Sequence, residues 1–187
     1  MPGPLHDAVS APGTARRSDA GAVRLGQRDI DGLILCAEHY AAPYDLLAAA
    51  LGAQPARLRG ITARWRRAGY AATGRLGPGP AWCWLTPGGM TAAGFAYPAT
   101  RPSLARLAHI RAVLAARLWL QASPAWARAR PWWHSERRLR AARPPRPAAG
   151  HLPDAEIWWP STDTCPAPAR WGSRIHLGNG TSTRAGL

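Results

Sequence analysis

The chain has 187 residues and a formal charge of +14, with 24 basic residues, all of them arginine, against ten carboxylates. That length fits one domain, or one small domain with an appendage, and the excess of positive charge points to a polyanionic partner. Cys36, Cys83 and Cys165 lie far apart with no C-x-x-C and no histidine at metal-ligand spacing, which argues against a zinc finger and for reduced thiols.

Residues 1–27 are rich in Pro, Gly, Ala and Ser without periodicity and read as a disordered leader with no apolar core of signal-peptide length. A first helix then begins near Arg28, with Asp29 as its cap and Ile30, Leu33, Ile34 and Ala37 on one stripe. "YDLLAAALG" reads as a short second helix closed by Gly52, and Pro55 opens a third. On that third helix Leu58, Ile61, Thr62, Trp65 and Ala68 share one side, which makes Trp65 a core residue, while Arg57, Arg59, Arg64, Arg66 and Arg67 spread over the other. Gly69 stops it. "YAATGRL", a tight "GPGP" and "AWCWL" read as a β-hairpin carrying Arg75 near its tip, and Thr86 with Pro87 opens a short last helix.

A longer helix is expected from Ser103, with Leu104, Leu107, Leu114 and Leu118 on one stripe. The stripe fits packing on the preceding unit and fits equally a homodimer. Arg106, Arg111 and Arg117 interrupt it, so it is no membrane span. "WARARPWWHSERRLRAA" reads as a strand running into an arginine-rich helix, "HLPDAEIWW" as another strand, and residues 161–187 as a disordered tail.

Three helices and a hairpin in this order give a mainly α winged helix-turn-helix over 28–98, followed by a long helix over 99–123 and an incomplete α/β segment over 124–160. A recognition helix of this kind lies in the major groove, where arginine pairs with guanine edges or grips phosphates. The reading places Arg57 and Arg59 near bases, Arg64, Arg66 and Arg67 near phosphates, and Arg75 on the wing, with double-stranded DNA as partner. A charge run is ordinarily a solvated face. Here the acids argue otherwise: between Asp45 and Glu136 there is no carboxylate, so twelve arginines lack a neighbour in sequence to pair with.

"RDIDGLILCAEHY", "LRGITARWRRAGY", "WCWLTPGGM", "LAHIRAVLAARLWL", "WWHSERRLRAA" and "HLPDAEIWW", in that order, resemble the actinobacterial replication-relaxation family of plasmid-associated proteins over roughly residues 28–160. The resemblance implies a winged-helix DNA-binding protein serving replication, mobilisation or transcriptional control of a plasmid or integrative element; the cytoplasm is expected from the reduced thiols and from the lack of an apolar signal-peptide core.

An enzymatic alternative comes from Glu136 and the Pro153-Asp154 pair, which resemble half of a PD-(D/E)-x-K nuclease site. Such a site needs a second acidic strand to help hold Mg²⁺, and usually a lysine. The chain has no lysine, and only Asp163 follows Glu156, so the segment reads as truncated and the protein as no enzyme, without cofactor or metal. His134 beside Ser135 has no identifiable third group for nucleophilic catalysis. A winged domain that makes only protein contacts is the other alternative.

Overall fold

The computed structural model describes residues 24–142, 152–160 and the strand 174–177. Helix α1 (Gln27–Glu38) starts after Gly26, so Asp29 stands in the first turn and is not the N-cap expected of it. It serves the helix end all the same, because its Oδ2 accepts the Gly26 N–H at 3.0 Å. The helix ends at His39, and Tyr40 turns the chain at φ 68°, a conformation rare for a bulky residue. Two guanidinium groups lie over its ring, Arg106 at 4.6 Å and Arg137 at 4.4 Å from the centroid.

Next come strand β1 (Ala42–Pro43), helix α2 (Tyr44–Ala50), helix α3 (Pro55–Arg67), strands β2 (Ala71–Gly74) and β3 (Trp82–Leu85), and helix α4 (Pro87–Ala92). Local chemistry sets most of these boundaries. Pro55 opens α3, Gly69 leaves it at φ 74°, and Thr86 Oγ1 accepts the Gly89 N–H at 3.2 Å to start α4. Strand β1 interrupts what reads in sequence as a plain helix-ending loop. It completes an antiparallel sheet of order β1-β3-β2, in which Ala42 faces Cys83 and Ala71 faces Leu85. The β2–β3 connection spans 75–81, wider than a tight turn.

Leu33, Cys36, Leu47, Leu58, Trp65 and Cys83 form the core between the helices and this sheet. Two glycines are there for space. A Cβ on Gly32 would stand 2.5 Å from Trp65 Cη2, and one on Gly89 would stand 1.9 Å from the Tyr70 carbonyl oxygen. Helices α2 and α3 are joined by a hydroxyl pair, Tyr44 Oη to Thr62 Oγ1 at 2.8 Å, with Thr62 buried.

After a 3-10 turn (Leu104–Arg106), helix α5 (Leu107–Gln121) lies against the first unit. Ile110 packs in one cluster with Ala41, Leu76 and Trp82, and Leu114 joins the main core. The expected leucine stripe is thus spent within the chain, except that Leu104 sits in the 3-10 turn and is 69% exposed. The outer face, Ala108, Ala112, Ala115 and Trp119, is exposed.

Helix α6 (Pro124–Ala129), capped by Ser123 Oγ accepting the Trp126 N–H at 3.2 Å, precedes strand β4 (Trp132–Ser135) and helix α7 (Glu136–Ala142). With strands β5 (Ala155–Trp158) and β6 (Arg174–Leu177), β4 makes a second antiparallel sheet of order β4-β5-β6. Strand β6 lies inside the stretch read as a structureless tail and pairs with β5, Ile175 opposite Ile157. The rest of that stretch, and the leader up to residue 23, lie outside the described residues. Helix α7 is no solvated arginine helix: Arg137 is buried and donates to the carbonyls of Ala37 and Pro98, each at 2.7 Å. The described chain is mainly helical with small antiparallel sheets, and no helix among the described residues is long and apolar enough to cross a membrane.

Candidate nucleic-acid interface

Helix α3 turns Leu58, Ile61, Thr62 and Trp65 inward. That burial fixes which residues are left outside. Arg57, Arg59, Arg66 and Arg67 are exposed on α3, and Arg75 is exposed directly after β2. None of these five has a carboxylate within ion-pair reach among the described residues.

Arg64 is different. It is paired with Asp29 of α1, whose carboxylate also accepts the Trp65 Nε1–H at 2.8 Å. Burial pushes the Asp29 carboxyl upward, but the hydrogen bonds from Trp65, Gly26 and Arg64 together with the Arg64 charge outweigh it and leave the pKa below its ordinary 3.8. Asp29 therefore stays ionised and fixes Arg64 in place. Sequence spacing gave that arginine no acidic neighbour, because the partner stands 35 residues upstream.

The same correction applies further along the acid-free stretch. Asp45 takes Arg111 in a two-pronged pair, Glu38 takes Arg117 and also Arg138, and Glu136 takes Arg106 and Arg140. Folding brings the outlying acids to the arginines of α5 and α7 and largely leaves those of α3 alone. Four exposed arginines of α3 thus stay without a carboxylate partner among the described residues, as do Arg28, Arg75, Arg101, Arg128 and Arg130 on other elements.

A groove of about 640 Å³ runs between the first turn of α1 and α3, lined by Arg28, Asp29, Arg57, Gly60 and Arg64 among others. Sequence reasoning missed Arg28 and the groove itself. The signal available to it was the stated start of α1, which places Arg28 in a first turn with an unpaired side chain.

The nuclease candidates Glu136 and Asp154 line one small cavity of about 20 Å³ with Glu38, His39, Arg106 and His109, and the Glu136 N–H donates to the Asp154 carbonyl at 2.8 Å. Glu136 is held by its two arginines, which offset the effect of its burial and leave its carboxyl below 4.5. Asp154 precedes β5 and meets His109 Nε2 at 3.0 Å, while Glu156 is buried within β5 and accepts the Trp158 Nε1–H at 2.9 Å. The two acids are therefore not side by side on one strand face. His134 lies opposite Glu156 in the sheet and stacks on Trp158, and Ser135 Oγ, buried, accepts the Arg138 N–H at 3.4 Å. Among the described residues no three His, Cys, Asp or Glu side chains form a group that could hold a metal ion. Asp163 lies outside the described residues. Cys36 and Cys83 are free thiols buried against one another, and their mutual hydrogen bond and burial raise the Cys36 pKa well above 9.0.

No family model, no curated protein and no solved structure matches the chain.

Proposed function

We propose that this protein binds double-stranded DNA through a winged helix-turn-helix made of α1, α2, α3 and the β2–β3 hairpin, with α3 in the major groove. The observation that carries the reading is the density of unpaired charge on α3: four of its exposed arginines, with Arg75 after β2, have no carboxylate partner among the described residues, whereas other unpaired exposed arginines, among them Arg28, Arg101, Arg128 and Arg130, are spread over other elements. Uncompensated arginines on one helix, anchored from behind by buried Trp65, Ile61 and Leu58, form a rigid cationic ridge. The helix order and the sheet order β1-β3-β2 support the winged arrangement. In it Arg59 faces base edges, Arg66 and Arg67 the groove wall, and Arg75 the backbone beside the wing.

The DNA is bound without being chemically altered, a reading supported by the pairing of Glu136 with Arg106 and Arg140 and of Asp154 with His109, and by the lack of lysine in the chain. The resemblance of the sequence blocks to the replication-relaxation family favours a role in replication, mobilisation or transcriptional control of a plasmid or integrative element.

The test is duplex binding measured over a range of salt. Each phosphate contact contributes about 0.9 to the slope of log K against log salt, so Arg66→Ala with Arg67→Ala lowers that slope by about 2 and weakens binding on every sequence. Binding that is absent, or insensitive to salt and to these changes, would turn the reading toward a protein-contact domain.

A further inference from the structure

The groove between α1 and α3 has a feature that packing does not explain. Gly60 lies in the middle of α3, where glycine is the least favourable residue after proline. Unlike Gly32 and Gly89, it is not needed for space inside the molecule, since a Cβ there would meet no atom within 4 Å. Its backbone is not left-handed either, so the helix would accept alanine or leucine. The missing side chain leaves the groove open.

Around that notch the charge is one-sided. Arg28 comes from the first turn of α1, and Arg57 and Arg64 come from α3, one turn before and one turn after Gly60. The single acid, Asp29, is saturated by Arg64, Trp65 Nε1 and the Gly26 N–H. The Arg64 side chain is 39% exposed and, while paired with Asp29, still presents part of its guanidinium to the groove. Arg57, read from the sequence as base-facing, also lines this groove.

We infer that the α1–α3 groove seats a phosphodiester of the DNA backbone, bound by Arg28, Arg57 and Arg64, with Gly60 as the notch that lets the strand approach the helix. This rests on the DNA-binding reading and adds α1 to the contact surface. A volume of about 640 Å³ leaves room for the phosphate with its flanking sugars.

The experiment titrates the full chain into a labelled random-sequence duplex at several NaCl concentrations, for the wild type, Arg28→Ala, Gly60→Ala, Gly60→Leu and Arg66→Ala. Thermal melts run beside each. The expected result is a salt slope about 1 smaller for Arg28→Ala, and affinity at least tenfold weaker for Gly60→Leu. In the same samples the Tm of Gly60→Ala and Gly60→Leu holds or rises by about 2–4 °C, as better helix formers should give. That separates a lost contact from a lost fold. Wild-type slope in Arg28→Ala together with wild-type affinity in Gly60→Leu, while Arg66→Ala still lowers the slope, overturns the groove and leaves DNA binding standing. No salt-dependent binding by the wild type overturns both.

Discussion

Asp29→Ala tests how the arginine face is held. The carboxylate has three partners, and each loss has its own size. Losing the acceptor for the Gly26 N–H at the start of α1 costs about 1 kcal/mol. The Trp65 indole N–H, in a side chain with no exposed surface, is left without an acceptor, at about 1–3 kcal/mol. The ion pair to Arg64 adds little, about 0–1 kcal/mol, because the arginine side chain is 39% exposed and solvent screens the charge. Allowing for the non-additivity of neighbours, Asp29→Ala should lower stability by about 2–4 kcal/mol in urea unfolding at pH 7, with an unchanged m-value. Asp29→Asn keeps a neutral acceptor and should lose about half as much. The pKa of Asp29 is depressed in the fold, so the contribution of its charge is present above its unfolded value near 3.8 and disappears as pH falls through the lower folded one. The gap between wild type and Asp29→Ala should accordingly narrow as pH falls from the unfolded value through the lower folded one, without closing, because the protonated carboxyl remains a neutral acceptor. A loss under about 0.5 kcal/mol for Asp29→Ala at pH 7 would refute the claim that this carboxylate ties α3 to α1.

Three further outcomes follow from burial and space. Gly89→Ala forces a Cβ against the Tyr70 carbonyl oxygen, a backbone atom that cannot swing away, and should cost about 3 kcal/mol or more in denaturant midpoint. Burial, with the Arg117 charge beside it, holds His39 neutral with its pKa well below 6.5. Its contribution is intact above the unfolded pKa and is lost as pH falls toward the folded one, so stability should drop by about 1 kcal/mol between pH 7.5 and 5.5, a drop that His39→Gln removes. Arg137→Met leaves the carbonyls of Ala37 and Pro98 without their shared donor and should cost about 2–4 kcal/mol, with faster amide exchange in α7. Arg137→Lys should restore little of that, since one ammonium lacks the planar fork that reaches both oxygens.

What the sequence made legible was local chemistry. Pro55 and Gly69 bracket α3, Thr86 with Pro87 opens α4, and the spacing of Leu58, Ile61 and Trp65 separates buried side from arginine side. Each of these is decided within one or two turns of helix. The two-residue β1 carries too little pattern to be seen without Trp82 and Cys83 beside it, and α6 was announced only by the Ser123-Pro124 pair inside an arginine-rich run. The pairing of Arg64 with Asp29, Arg117 with Glu38 and Arg137 with Ala37 joins positions 35 to 100 residues apart. No count of neighbouring acids anticipates such contacts, because the fold itself creates the proximity.

Helix α1 touches everything of consequence. Its first turn, through Asp29, steadies α3, and its last turn, through Ala37 and Glu38, receives Arg117, Arg137 and Arg138. Cutting the chain after residue 98 to obtain a minimal DNA-binding piece would strip Glu38 of both its cations and bare Ala41, Leu76 and Trp82, which Ile110 now covers. The unit boundary drawn at residue 98 from the sequence is therefore not a place where the protein can be divided; modularity ends at α1, a twelve-residue strut shared by both halves.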